Sequence, residues 1–212
     1  MNAIWGGAVF VLACGLNSLA IDDQVPKVPN VDVSTPNRVL KVKAEDVCQV
    51  DFRNIRMFGE NAGWTAHLKN GRYERKSDSG YESAKVNQVH CLDRLESVGQ
   101  HALVMTNWQD CGGSCTSIGV VQVFVVRERH PVIIQQFVFD DHAKGTGASF
   151  DEKSLTLTVT GRTDDNSPNC CAKSLDVVRY EWRGSKFVRR TFKRIPAPPP
   201  DTLGNVSPPV GR

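Results

Sequence analysis

A chain of 212 residues allows one domain with tails, and its 40% hydrophobic and 23% charged residues are ordinary for a globular protein. The net charge of +3 is too small to imply, for the chain as a whole, a polyanionic partner. Composition alone therefore excludes a strongly basic or strongly acidic binder and leaves the function to local features.

Residues 1–20 form the first informative segment, an apolar run that ends in small residues. Ser18 and Ala20 occupy the positions three and one before a signal-peptidase cut, which predicts a mature start near Ile21. The sequence VLAC, ending at Cys14, also resembles a bacterial lipobox. We expect a cleaved signal peptide over 1–20, or a lipoprotein leader that ends before Cys14. In the second case a lipid attached to Cys14 would anchor the chain to a membrane. The remaining alternative is a buried N-terminal element of a cytosolic protein.

Cysteine usage supports export to the periplasm or beyond. An even number of cysteines in an exported domain predicts a disulfide framework. C-x3-C together with an adjacent C-C pair is poor spacing for zinc, so metal binding is disfavoured. A vicinal Cys170–Cys171 bond and separate partners for the two sulfurs both stay open. The disulfide candidates, with Cys14 set aside for lipidation or removal, are Cys48, Cys91, Cys111, Cys115, Cys170 and Cys171.

The chain divides into a proline-containing linker or extended arm over 21–38, a β domain over 39–195 and a proline-rich tail over 196–212 that we expect to be disordered. In the domain's first part, Val39–Lys43 and Asp51–Phe58 are predicted strands, with a short helix over 44–50 as an alternative. Asn70-Gly71 predicts a hairpin between Trp64–Leu68 and Tyr73–Lys76, because both residues tolerate positive φ.

From residue 85 onward, apolar segments alternate with polar turns, a pattern typical of an antiparallel meander. Val120–Val126 is apolar on both faces and predicts a central strand. The fold class is therefore mainly β, an antiparallel sandwich or open barrel, with the two cysteine clusters placed in turns. The predicted strands are Lys85–Leu92, His101–Trp108, Ile118–Val126, Val132–Phe139, Leu155–Thr160, Val177–Trp182 and Lys186–Phe192.

The distal half, about residues 64–192, resembles a class of uncharacterised secreted bacterial β-proteins. Its shared motifs are Gly112-Gly113-Ser114, the apolar hairpin of Val120–Phe139, the threonine-rich strand Leu155–Thr160, Cys170-Cys171 and the RYEWRG hairpin from Arg179. That last hairpin is also similar to the closing hairpin of LprE-type lipoproteins. The resemblance implies a secreted bacterial β domain and carries no activity. Many such relatives have an Asp-rich calcium loop, whereas residues 93–99 here offer only Asp93 and Glu96, so we expect no calcium there.

No local motif supports enzymatic chemistry. The chain lacks a G-x-S-x-G elbow and an H-E-x-x-H helix. Ser114 is disfavoured as a nucleophile, because no motif supplies the base and the acid that would activate it. The acidic stretches at 140–142 and 164–166 are interpreted as solvated turns, since Asp and Asn side chains bond nearby backbone. The sequence predicts no catalytic residue, no metal site and no cofactor.

The end of the domain is basic, and Arg179, Arg183, Arg189 and Arg190 are the predicted binding surface. Aromatic residues interleave with these charges, which fits either a stacking surface or simple alternation of a buried and a solvated face. We expect an exported, non-enzymatic binding module with a protein or envelope ligand and no nucleic acid. The alternatives are an extracytoplasmic hydrolase with a loop-assembled site and a small inhibitor or immunity-type protein.

Overall fold

A computed structural model describes residues 31–58, 65–78, 80–92, 100–111, 115–140, 144–162 and 172–199. This part of the chain contains no α-helix, only strands and a 3-10 turn at Val47–Gln49. The strands are β1 Val31–Ser34, β2 Arg56–Phe58, β3 Thr65–His67, β4 Arg72–Ser77, β5 Gly80–Cys91, β6 His101–Cys111, β7 Cys115–Arg127, β8 His130–Asp140, β9 Gly147–Asp151, β10 Thr156–Arg162, β11 Ser174–Trp182 and β12 Phe187–Pro196.

The strands form three antiparallel sheets, none of which closes on itself. A six-stranded sheet has the order β1-β8-β7-β6-β5-β4, a four-stranded sheet the order β12-β11-β10-β9, and β2 pairs with β3 alone. The six- and four-stranded sheets pack face to face, so the fold is a sandwich. The predicted mainly β, antiparallel fold is confirmed.

The central strands of the six-stranded sheet are buried on both faces, which explains their continuous apolar sequence. On β7, Val121 and Val123 face the four-stranded sheet, while Val120 and Phe124 face the opposite side. Burying each such side chain contributes about 1.5–3 kcal/mol. The prediction that Val120–Val126 is a central strand is confirmed.

Gln135 of β8 joins the two large sheets through a polar clamp within the core. Its side-chain oxygen accepts the N–H of Phe187 at 2.8 Å, and its Nε2 donates to the carbonyl of the same residue at 3.0 Å. Both backbone groups at the start of β12 are thereby satisfied away from water. The clamp fixes where β12 begins relative to the six-stranded sheet.

A second core lies on the other face of the six-stranded sheet and is covered by short elements. Leu40, Phe52 and Met57 are buried in it, and the ring of Phe52 packs 4.9 Å from that of Phe124. A disulfide joins Cys48, in the 3-10 turn, to Cys91 at the end of β5, with a Cα–Cα distance of 5.3 Å. The cross-link holds this irregular layer against the sheet.

The N-terminal segment differs from its prediction as a linker over residues 21–38. Residues 31–34 form the edge strand β1, with Val31 opposite Phe139. Pro36 lacks an N–H, and Asn37 adopts φ 47°, so the strand is interrupted there. Val39 then makes a single bridge to Val132, and Val39–Lys43 is not a strand as predicted.

Two further strand predictions in this half were wrong in extent or pairing. Within Asp51–Phe58 only β2 is extended, because the Asp51 carboxylate accepts the Arg53 N–H at 3.1 Å and stabilises a turn. Asn70 and Gly71 have the predicted positive φ values of 52° and 78°, and their turn closes through a single Lys69–Arg72 bridge. The predicted hairpin does not continue beyond this bridge, because β3 pairs with β2 and β4 pairs with β5.

Several predictions lie outside the described residues: the leader over 1–20, Cys14, the stretch 93–99 and residues 200–212. The first residues of the expected disordered tail are ordered, because Pro196 pairs with Ser174 and the Ala197 N–H donates to the Lys173 carbonyl at 3.0 Å. The described part of the tail is therefore attached to β11.

Candidate functional site on the outer face of the four-stranded sheet

The four-stranded sheet has one buried and one solvent-facing side, as strand alternation requires. Leu157, Val159 and Val178 are fully buried against the other sheet, whereas threonines and charged residues alternate with them. Across the strands, Thr158 lies between Ser149 and Arg179, and Thr160 lies opposite Val177. We define the basic face as ten outward residues of β10, β11 and β12, namely Thr156, Thr158, Thr160, Val177, Arg179, Glu181, Val188, Arg190, Thr191 and Lys193. The exposed Asp151 of β9 lies opposite Thr156 at the margin of this face.

Charge is concentrated in this part of the molecule. Residues 172–199 contain eight Lys or Arg and two Asp or Glu, whereas the rest of the chain contains 18 Lys or Arg and 21 Asp or Glu. The small net charge of +3 is therefore the sum of a strongly basic C-terminal segment and a slightly acidic remainder of the chain. Such asymmetry raises the local concentration of anions near the sheet.

Both acids of this segment are already engaged. Glu181 binds the guanidinium of Arg190 at 2.6 Å and that of Arg183 at 2.9 Å. Asp176 is completely buried and accepts two hydrogen bonds from Arg194, at 2.9 and 3.3 Å. These hydrogen bonds and the charge of Asp176 raise the pKa of the Arg194 guanidinium.

Among the three cations of the basic face, Arg179 and Lys193 consequently remain without an ion pair in the part of the chain that the structure describes. Both side chains are exposed. Arg179 lies opposite Thr158 on one side and Thr191 on the other, and Lys193 lies opposite Val177. The face thus presents positive charge among hydroxyl groups on a regular strand scaffold.

Of the four predicted surface arginines, Arg179, Arg183 and Arg190 lie on or beside the basic face, but Arg189 does not. A bulge between Arg179 and Tyr180 places Arg189 opposite Tyr180, on the side of the sheet that faces the core. Lys193 was not among the predicted surface residues but lies on the basic face, because the bulge reverses the alternation of β12 beyond Arg190.

Three of the four aromatic residues that interleave with these charges belong to the core. Tyr180, Trp182 and Phe187 are buried, and the Tyr180 ring packs 4.8 Å from that of Phe137. Burial raises the pKa of Tyr180 to about 12. Phe192 is 41% exposed but alternates with Thr191 and Lys193 toward the inner side. The interpretation as alternation is therefore correct for these residues.

Three of the four described histidines, His90, His101 and His130, have structural partners. His90 contacts Glu152 through Nδ1 at 2.6 Å and Gln88 through Nε2 at 2.9 Å. The ring of His101 packs 5.1 Å from that of Trp182, and His130 Nδ1 lies 2.9 Å from the carbonyl of Val42. Within the described ranges, no group of three or more His, Cys, Asp or Glu side chains is arranged to hold a metal ion.

The acidic stretch that begins at Asp140 differs in part from its interpretation as a solvated turn. Asp140 ends β8 and forms a largely buried ion pair with Arg162 of β10. It therefore links the ends of β8 and β10, one inner strand from each large sheet. Asp141, His142 and the stretch 164–166 lie outside the described residues.

The cysteines are confirmed as disulfide-forming where the structure describes them. Besides the Cys48–Cys91 bond, Cys111 is disulfide-bonded to a sulfur outside the described side chains. Cys111 ends β6 and Cys115 begins β7 directly opposite it, so both occupy strand ends and not the turn that was predicted. Ser114, Cys170, Cys171 and the side chain of Cys115 are not described.

Comparisons with known proteins leave the family open: the chain matches no protein-family model, no curated protein and no solved structure. Across the described ranges, no helix is long and apolar enough to cross a bilayer. The basic face and its exposed cations are therefore the features that indicate a function.

Proposed function

We propose that the protein is an exported, non-enzymatic binding module whose basic face binds an acidic polysaccharide of the cell envelope. The observation that carries the proposal is the pair of exposed, unpaired cations, Arg179 and Lys193, set among outward threonine hydroxyls. Carboxylates of the polymer would pair with the cations, and its hydroxyls would exchange hydrogen bonds with the threonines.

The strand scaffold supports recognition of an extended, repeating chain. Side chains on one face recur at about 6.6–6.8 Å along a strand and about 4.8 Å between strands. Thr156, Thr158 and Thr160 form such a line on β10, beside Arg179 on β11. A regular array of this kind favours a polymer over a single small anion, because many weak contacts add along its length.

The same face disfavours two other anionic partners. Single-stranded nucleic acid is bound through exposed aromatic platforms, and Tyr180, Trp182 and Phe187 are buried. A membrane surface is bound by large apolar side chains together with basic ones, whereas the two apolar residues of the basic face, Val177 and Val188, are small and half-buried.

Export is proposed on the cysteines and the leader. Disulfides persist in oxidising compartments, and the described residues include a Cys48–Cys91 bond. The apolar run before Ile21 would direct the chain across the inner membrane, with lipid attachment at Cys14 as the anchored alternative. An extracytoplasmic bacterial β domain of this kind also agrees with the resemblance to secreted bacterial β-proteins.

The test is binding to sodium polygalacturonate, a carboxylate polymer, followed by surface plasmon resonance at increasing salt. Each Lys or Arg near an anionic surface contributes about 1 kcal/mol, so the Arg179→Gln/Lys193→Gln variant should lose about 2 kcal/mol and bind about thirty-fold more weakly. Lys76→Gln/Lys85→Gln, on exposed positions of β4 and β5, makes the same change in net charge and should bind like the wild type. Affinity should fall steeply with salt.

Three further probes separate the partners. The proposal expects negligible binding to neutral dextran, and weaker binding to phosphatidylglycerol vesicles and to DNA than to polygalacturonate at equal salt. Equal losses in the two double variants would overturn it, since binding would then depend on net charge alone. Preferential binding to vesicles or to DNA would also overturn it.

A further inference from the structure

A cleft of about 300 Å³ lies between β9 and the inner side of the six-stranded sheet, away from the basic face. We call it the inter-sheet cleft. Its size is at the lower end of the range for small-molecule sites. It is lined by Asn87, Gln88, Met105, Thr106, Asn107, Val120, Val121, Phe139, Gly147 and Ala148.

Local departures from regular packing create this space. A bulge in β5 between Val86 and Gln88 leaves Asn87 outside the backbone register with β6. The ring of Phe139 lies directly over Gly119, where an added Cβ would come within 2.1 Å of it. Gly147 begins β9 with nothing within 4 Å of the position of its missing Cβ, so no side chain closes the cleft there.

The chemistry of the lining is mixed but contains no ionisable side chain. Asn87, Gln88 and Asn107 supply amide donors and acceptors, and Asn87 donates to the Asn107 side-chain oxygen. Met105 and Phe139 are almost fully buried and supply an apolar wall. A charged ligand would lose its hydration without a counter-charge, whereas a neutral ligand with one polar and one apolar side would be matched.

We propose that the inter-sheet cleft binds one uncharged sugar ring. A pyranose has hydroxyl groups for the amides and an apolar C–H face for Met105 and Phe139, and its dozen heavy atoms suit the volume. This site takes a neutral ring, is separate from the basic face and does not depend on the function proposed for it.

The polar end of the cleft is held in place from the other sheet. Gln88 Oε1 lies 2.9 Å from His90 Nε2, and His90 Nδ1 lies 2.6 Å from the carboxylate of Glu152, which follows β9. The His90 ring also packs 5.0 Å from that of Phe150. This chain of contacts fixes the Gln88 amide before a ligand arrives, and a preorganised polar group costs less to use in binding.

The test is saturation-transfer-difference NMR with methyl β-D-glucopyranoside, a neutral ring, and methyl β-D-glucuronide, the same ring with a carboxylate. The glucoside should bind, and the glucuronide should bind several-fold more weakly. Removing one amide contact should weaken glucoside binding about five-fold, so we expect this for Asn87→Ala and for Asn107→Asp. Asn87 is exposed and lies in the bulge, so its substitution leaves the core intact.

The Arg179→Gln/Lys193→Gln variant should bind the glucoside like the wild type, and Asn87→Ala should bind polygalacturonate like the wild type. These crossed controls separate failure of the cleft proposal from failure of the proposed function. Absence of glucoside binding at its solubility limit would overturn the cleft proposal. So would stronger binding of the glucuronide, or unchanged glucoside binding in both cleft variants.

Discussion

The Cys48–Cys91 disulfide is expected to contribute a large share of the stability, because it closes a long loop. The two cysteines are separated by 43 positions in sequence. The chain-entropy relation for a loop of that length gives about 4 kcal/mol at 25 °C. Both side chains are half-buried, so replacing them with alanine should lose little packing beyond the cross-link. That loss compares with a typical total stability of about 5–15 kcal/mol.

The measurement is urea unfolding of the wild type and the Cys48→Ala/Cys91→Ala variant, followed by tryptophan fluorescence. Trp108 is buried in the second core, whose covering layer the disulfide attaches to the sheet. The double variant avoids a single unpaired thiol that could exchange with the Cys111 bond. A loss of less than about 1 kcal/mol would refute the reasoning, because the covering layer would then be held by packing alone.

Three smaller perturbations test the packing between the sheets. Gln135→Leu should cost about 1–3 kcal/mol in urea unfolding, because it leaves the buried N–H and C=O of Phe187 without their clamp; an unchanged midpoint would contradict this. Gly119→Ala should cost about 1–3 kcal/mol, since its Cβ would lie 2.1 Å from the Phe139 ring, and adding Phe139→Leu should recover part of the loss. Burial raises the pKa of Tyr180 to about 12, so only the unfolded state loses the phenol proton between pH 10 and 12 and the free energy of unfolding should fall over that range. Tyr180→Phe should lessen this fall by roughly 2–3 kcal/mol, and identical pH profiles of the variant and the wild type would disprove the assignment.

The C-terminal half was predictable from sequence because its strands are long and their burial follows the side-chain pattern. Val120–Val126 is buried on both faces, and Leu157 and Val159 alternate with threonines as their spacing indicates. Hydrophobic periodicity specifies such strands well, since tertiary packing and local pattern agree.

The N-terminal half was harder because its elements are short and their partners are distant. β2 and β3 have three residues each, which is too short for the alternation of buried and exposed side chains to be recognised in the sequence. The positive-φ turn at Asn70-Gly71 was predicted, but the Gly71 N–H donates to the carbonyl of Arg53 at 2.7 Å. Local turn chemistry identifies a turn without naming the strands that it connects.

The candidate site was only partly predictable for a related reason. Arg179 and Arg190 were identified from the density of basic residues, but the bulge at Arg190 moves Arg189 off the basic face. Lys193 joins the face through pairing with β11, and the threonines of β10 join it through the same sheet. The inter-sheet cleft depends on two glycines and a bulge, whose effect appears only when the sheets are packed.

The most direct test of the central claim is a map of amide chemical shifts during titration with oligogalacturonate. The account predicts that the perturbed amides lie in β10, β11 and β12, with the largest changes around Arg179, Thr191 and Lys193. The same titration of Arg179→Gln/Lys193→Gln should leave those amides nearly unchanged. Perturbations centred on β4 and β5, or scattered over every basic residue of the chain, would contradict the claim.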